Sequence, residues 1–231
     1  MNFKRIISIV LVCLMATMSM TAKVRKSKAP VKITCIGASI TEGAMTANPA
    51  TDSYPAQLGR MLGERYVVSN FGVGGCTMLR KGDCPYWEKE AYQQALASEP
   101  DIVFIDLGGN DSKAVNRVHM DEFVKDACEM IASFQNLPTK PRIIVLTPIV
   151  SFVEDSNGIY DEVICSKVSP KTIEAADRMR VEVLDMHSVL NRRPDLMPDC
   201  IHPNTEGSGL MARKMCDYLK AYPQKPSEGM T

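Results

Sequence analysis

The residues of this chain best suited to chemistry are Ser39, in the run Ile36-Gly37-Ala38-Ser39-Ile40-Thr41-Glu42-Gly43, and the pair Asp199 and His202, three positions apart in Asp-Cys-Ile-His. A serine hydroxyl is a weak nucleophile until a base takes its proton. An imidazole is basic enough for that task and still partly neutral at pH 7, which makes His202 the natural base. Asp199 can accept from the other ring nitrogen, fixing the tautomer and stabilising the imidazolium as it forms. The chemistry of such a set is acyl transfer: the serine is acylated, then water releases the acyl group. A tetrahedral intermediate on that path needs preorganised donors for its oxyanion. Three are available: the backbone N–H of Ser39, the N–H of Gly75 in Asn70-Phe71-Gly72-Val73-Gly74-Gly75, and the amide of Asn110 in Leu107-Gly108-Gly109-Asn110-Asp111.

Positioning these groups requires elements that end beside them. Apolar β-type runs occur at Val31 to Ile36, Tyr66 to Ser69, Asp101 to Leu107, Arg142 to Thr147 and Arg180 to Leu184. Helical spacing falls between them: Tyr54 to Leu62, Trp87 to Ala97, Asp121 to Phe134, Tyr160 to Asp177 with an interruption near Pro170, and Thr205 to Leu219. Five strands alternating with helices predict an α/β fold, a parallel sheet covered on both faces. Ligands bind such sheets at the carboxyl ends of the strands. The four motifs fall after the first, second, third and fifth runs, on that one edge.

The whole chain has 231 residues with 27 basic and 27 acidic side chains. Residues 1–22 read as a signal peptide: Lys4 and Arg5, an apolar run from Ile6 to Met20, then small residues at Thr21 and Ala22. Residues 23–30 read as a basic linker, 31–222 as one catalytic-sized domain and 223–231 as a tail. Without Lys4 and Arg5 the count is 25 basic against 27 acidic, a net charge of −2, which gives no basic footprint for nucleic acid. An exported protein, periplasmic or secreted, with no membrane span after cleavage is expected. Seven of the eight cysteines lie outside the leader, an odd number, so at least one has no partner within the chain. Cys76 and Cys84 are close enough in sequence to bridge a loop. Cys35, Cys128, Cys165 and Cys216 sit in apolar patterns that suit core packing, and Cys200 reads as a packing residue. No His–Cys group has metal-binding spacing, so neither metal nor cofactor is expected.

The four blocks around Ser39, Gly75, Asn110 and His202 resemble the SGNH (GDSL-type) hydrolase superfamily along nearly all of residues 31–222. The resemblance implies a flavodoxin-like three-layer αβα sandwich with a five-stranded parallel sheet. It also implies a Ser39–His202–Asp199 esterase with Ser39, Gly75 and Asn110 as the oxyanion hole. The stretches 70–87 and 101–113 resemble bacterial carbohydrate O-acetylesterases, including sialate O-acetylesterase-like members, which implies an acylated carbohydrate as substrate. One position departs from the pattern: Ala38 stands where the family's first block has aspartate, a residue the resemblance assigns to the nucleophile's turn and not to the proton relay.

Other readings remain beside this one. A lipid-directed lysophospholipase or thioesterase would need a long apolar groove. A catalytically idle sugar-binding module would account for Ala38. A flavodoxin-like carrier could use Ser39, Thr41 and Thr46 as phosphate-binding hydroxyls but leaves Asp199 and His202 unexplained. Asp185 with His187 is an alternative acid–base pair, and His119 reads as structural. Trp87 and Tyr86 offer aromatic faces for a sugar. Arg80, Lys81, Lys113 and Arg117 lie near loop ends where a substrate carboxylate could meet them.

Overall fold

The computed structural model describes residues 29–223; the leader, most of the basic linker and nearly all of the tail lie outside them. Five strands form one parallel sheet: β1 (Val31–Gly37), β2 (Tyr66–Gly72), β3 (Ile102–Asp106), β4 (Arg142–Leu146) and β5 (Glu182–Leu184). Their spatial order is β2-β1-β3-β4-β5. The chain therefore moves outward from β1 to β2, then crosses back to the other side of β1 for β3. That reversal opens a crevice beyond the carboxyl ends of β1 and β3, the standard ligand position in a sheet of this kind.

The predicted helices form between the strands. A short α1 (Ser39–Glu42) follows β1 directly, and α2 (Tyr54–Leu62) ends at Gly63, whose φ of 75° suits glycine. Then come α3 (Glu90–Ala97), α4 (Phe123–Gln135), α5 (Ser169–Met179) and α6 (Thr205–Ala221). One core packs Ile33, Cys35, Phe104, Ile144 and Leu146 of the sheet against Leu58 of α2 and Met211 and Met215 of α6. The other packs Ile36, Val103, Ile105 and Val145 against Ala95, Phe123, Met130, Phe134 and Ala176 of α3, α4 and α5. The strand residues alternate between these two cores, as a period of two requires. With β3 buried at all five positions, this is a sheet covered on both faces, the three-layer αβα architecture. No helix among the described residues is long and apolar enough to cross a membrane.

The interruption near Pro170 has a specific form. Ile164–Val168 makes a π-helical turn between Asp161–Val163 and α5. Proline has no N–H for an i→i−4 bond and its ring crowds the carbonyl four residues back, so a widened turn ahead of Pro170 relieves both problems.

Candidate active site

Ser39 is the first residue of α1, immediately beyond β1. Its backbone N–H has no intrahelical acceptor at that position and faces off the helix end. Two glycines allow the tight approach of α1 to the sheet. A Cβ on Gly37 would lie 2.0 Å from Thr41 Oγ1, and one on Gly72 would lie 2.1 Å from the Glu42 nitrogen.

The turn is also held by side chains. Tyr54 donates its hydroxyl proton to Thr41 Oγ1 at 2.9 Å, and Thr41 donates to Asp106 Oδ2 at 3.1 Å. Asn70 Nδ2 donates to the Thr41 carbonyl at 2.7 Å while its Oδ1 accepts from Gly72 N–H at 2.9 Å. Ala38 packs against the apolar core beneath, lines the pocket beside Ser39 and has no side-chain group to hold the turn. The carboxylate absent from position 38 is thus not what fixes Ser39; a buried one from β3, Asp106, anchors the turn from below. Burial pushes the Asp106 carboxyl up to about 6, against the lowering effect of the Thr41 and Tyr54 hydroxyls.

His202 reaches Ser39 from the loop before α6. Its Nε2 lies 2.7 Å from Ser39 Oγ, placed to accept the hydroxyl proton. Its Nδ1 lies 2.6 Å from Asp199 Oδ2, placed to donate. Asp199 Oδ1 accepts from the backbone N–H groups of His202 at 2.7 Å and Ile201 at 3.0 Å. Between them Cys200 takes φ of 68°, a left-handed conformation that turns the chain so one carboxylate can cap both N–H groups. Partial burial raises the Asp199 carboxyl, but the bonds from the His202 ring and these two N–H groups outweigh it and hold the group below the ordinary aspartate range. Cys200 is exposed rather than packed.

The oxyanion candidates come from neighbouring loops. Asn110 is buried, lines the same pocket as Ser39, and donates one Nδ2 hydrogen to the Cys76 carbonyl at 3.0 Å, which leaves the other available. Gly75 precedes Cys76 with φ of 79°, and a Cβ there would meet no atom within 4 Å, so the glycine is needed for backbone conformation rather than space. Asp111, next to Asn110, is fully buried and accepts from Met78 N–H at 3.0 Å and Leu79 N–H at 2.8 Å. It ties the loop carrying Gly75 to the loop carrying Asn110. Burial pushes its carboxyl up to about 6 against those backbone bonds. Asn116 strengthens the tie, donating to the Asn110 carbonyl at 2.8 Å and to Asp83 at 2.9 Å. Neither role had a local sequence signal, because each depends on partners about thirty positions away or on an adjacent loop's path.

Other sequence expectations fare differently. Tyr86 is fully buried with its hydroxyl donating to the Phe71 carbonyl at 2.6 Å, which leaves no face for a sugar. Trp87 donates to the Met78 carbonyl at 2.8 Å, carries the Arg80 guanidinium 3.4 Å over its ring and does not line the pocket. The four basic residues are engaged: Arg80 with Glu129, Lys81 with Glu122, Lys113 with Asp83 and Arg117 with the Ser156 carbonyl. Asp185 accepts from the backbone N–H of His187 at 3.1 Å, whereas the His187 ring pairs with Asp161 at 2.9 Å, so Asp185 and His187 form no acid–base pair. Thr41 is buried and Thr46 bonds the Gly43 carbonyl, which leaves no hydroxyl cradle for a phosphate. Cys35 and Cys216 are buried as expected, but Cys165 is exposed beside His187. Cys76 and Cys84 are free thiols with Sγ atoms 3.7 Å apart.

The model of the GDSL-like lipase/acylhydrolase family matches residues 35–210. The chain belongs to that family. Among curated relatives, an acetylxylan esterase of Xylanibacter ruminicola is 37% identical over 209 residues, covering 83% of this chain and 42% of the relative. A GDSL esterase/lipase of Arabidopsis thaliana is 25% identical over 157 residues, covering 60% of this chain and 61% of its own. The chain thus spans about half the length of these family members. Among solved structures, the carbohydrate acetylesterase Est24 of Sinorhizobium meliloti superposes with a TM-score of 0.68 at 19% identity, covering 83% of this chain and 99% of that one. A two-domain esterase active on acetylated mannans gives a TM-score of 0.64 at 20% identity, over 84% of this chain and 50% of the other. These superpositions establish the SGNH hydrolase fold.

Proposed function

We propose that the protein is a serine esterase that removes small acyl groups, acetyl foremost, from carbohydrates, acting outside the cytoplasm. The observation that carries this reading is the hydrogen-bonded chain from Ser39 through His202 to Asp199. In the first half-reaction Ser39 Oγ attacks the ester carbonyl carbon while its proton passes to His202 Nε2. The carbonyl oxygen, now negative, takes hydrogen bonds from Ser39 N–H, Gly75 N–H and the free hydrogen of Asn110 Nδ2. Collapse of the tetrahedral intermediate breaks the bond to the sugar oxygen, which leaves with the proton from His202. In the second half-reaction water gives its proton to His202 and attacks the acyl-serine, releasing the acid and restoring the hydroxyl. No step requires a cofactor.

The acyl preference rests on the pocket beside Ser39. Ile40, Ile149, Val150, Ile159, Ile164 and Ile201 line it, and stiff branched side chains so close to the nucleophile favour a short acyl group over a long one. The carbohydrate and the extracellular setting are supported by the acetylxylan esterase relative and by the leader-like residues 1–22. The test is hydrolysis of p-nitrophenyl esters from acetyl to octanoyl, with acetate release from acetylated xylan and mannan, wild type beside Ser39→Ala. Activity on acetyl esters and polysaccharide that vanishes in the variant supports the proposal. A preference for octanoyl would favour a lipid ester instead, and a folded wild-type protein inactive on every ester would point to an idle binding module.

A further inference from the structure

A second histidine cluster lies behind the pocket wall and takes no part in the steps above. Asp161, Cys165 and His187 bring a carboxylate, a thiol and an imidazole together with their ligand atoms all within 4.8 Å of one another. His187 Nε2 lies 2.9 Å from Asp161 Oδ1 and 3.3 Å from Cys165 Sγ, and Cys165 Sγ lies 3.7 Å from Asp161 Oδ2. The decisive feature is that the thiol and the carboxylate converge on the same ring nitrogen. A proton relay uses opposite nitrogens of the ring, one toward the nucleophile and one toward the acid. Three different donor atoms facing one point are arranged instead for a shared central atom.

We infer that Asp161, Cys165 and His187 form a binding site for a divalent transition-metal ion of the zinc class, which fastens the pocket wall to the end of β5. A zinc ion bound tetrahedrally through sulfur, nitrogen and oxygen sets its ligand atoms about 3.4–3.7 Å apart. The Sγ–Oδ2 separation already fits, the Sγ–Nε2 separation of 3.3 Å is about 0.1 Å short, and the Nε2–Oδ1 edge must open by about half an ångström. The mixed soft and borderline donor set selects zinc, cobalt or nickel over calcium and magnesium, which prefer oxygen alone. One thiolate and one carboxylate balance the charge of the ion. Binding displaces the Cys165 thiol proton to solvent, and the fourth position is left to water.

Local structure already supports the ligands. Asp161 and Cys165 are four residues apart across a single turn, and Cys165 rides on the π-helical turn. Asp161 Oδ1 also accepts from Ser151 N–H at 3.1 Å, and the backbone N–H of His187 is held by Asp185 at 3.1 Å. The His187 and Asp161 side chains are 23% and 32% exposed, so an ion can enter from solvent. Ile159, Ile164 and Ser151 line the catalytic pocket next to these ligands, so an ion here would stiffen that wall.

The test uses the full chain, reduced and stripped with chelator, then titrated with cobalt(II) and zinc(II). The expected result is one cobalt per chain with a thiolate-to-cobalt charge-transfer band, displaced by zinc, and a rise in Tm with zinc. Cys165→Ser, at an exposed position, should abolish the band and weaken zinc binding at least tenfold, and His187→Ala should do the same. Cys84→Ser should keep the band, since the Cys76–Cys84 thiols, 3.7 Å apart, lie outside the proposed ligand set. A band that survives Cys165→Ser, or disappears in Cys84→Ser, would overturn the assignment. So would folded wild-type protein that binds neither metal.

Discussion

His202 and His187 each meet a carboxylate and a side chain that can act as a nucleophile, yet the two clusters are built for different work. At His202 the serine and the aspartate occupy opposite ring nitrogens, at 2.7 and 2.6 Å, so a proton taken on one side is stabilised from the other. At His187 the thiol and the aspartate share one nitrogen, and no path through the ring connects them. The difference shows that residue composition alone does not define a catalytic triad. The direction from which each partner approaches the ring suits the first set to moving a proton and the second, as proposed, to holding an ion.

Breaking the relay should have the largest effect. His202→Ala should lower kcat on p-nitrophenyl acetate by on the order of 10⁴- to 10⁶-fold, and Asp199→Asn by about 10⁴-fold, measured by steady-state kinetics on folded protein. Asn110→Ala comes next, with about a 10²- to 10³-fold loss in kcat and little change in KM, because the proposed mechanism gives its free hydrogen to the oxyanion.

A third experiment sharpens what holds the relay's serine. Asp106 has a folded-state carboxyl raised to about 6. A raised acid binds its proton more tightly folded than unfolded, so its contribution to stability is present below pH 4 and is lost as pH rises from about 4 through 6. The loss is on the order of 3 kcal/mol. Urea unfolding at pH 4 and pH 7 should show that Asp106→Asn removes this part of the pH dependence; an unchanged difference would mean Asp106 is not the titrating group. The smallest effect is expected from Asp185→Asn, less than about twofold in kcat/KM, since Asp185 touches the backbone of His187 and not its ring. A large loss would revive Asp185 as a partner of the catalytic base.

The strands and major helices were legible because their patterning is local: β3 is a continuous apolar run, and Gly63 marks the end of α2. The Asp199–His202 pairing is legible because both residues share one loop. Residues whose roles depend on distant partners were not. Asp106 and Asp111 sit beside recognised motifs, but their functions come from Thr41 and from Met78 and Leu79, reached only after the chain folds. Aromatic type does not reveal which face is covered, so the sequence does not show that Tyr86 is buried and that Arg80 roofs Trp87. The His187 cluster has no local signal for a similar reason, as Cys165 and His187 are separated by 22 positions and by α5.

The most direct test of the central claim is labelling with a fluorophosphonate followed by peptide mass spectrometry, which identifies the side chain that the protein itself activates. The account predicts a single adduct on the peptide containing Ser39, absent in His202→Ala and retained in Cys165→Ser. An adduct elsewhere, or labelling of Ser39 that persists without His202, would contradict it.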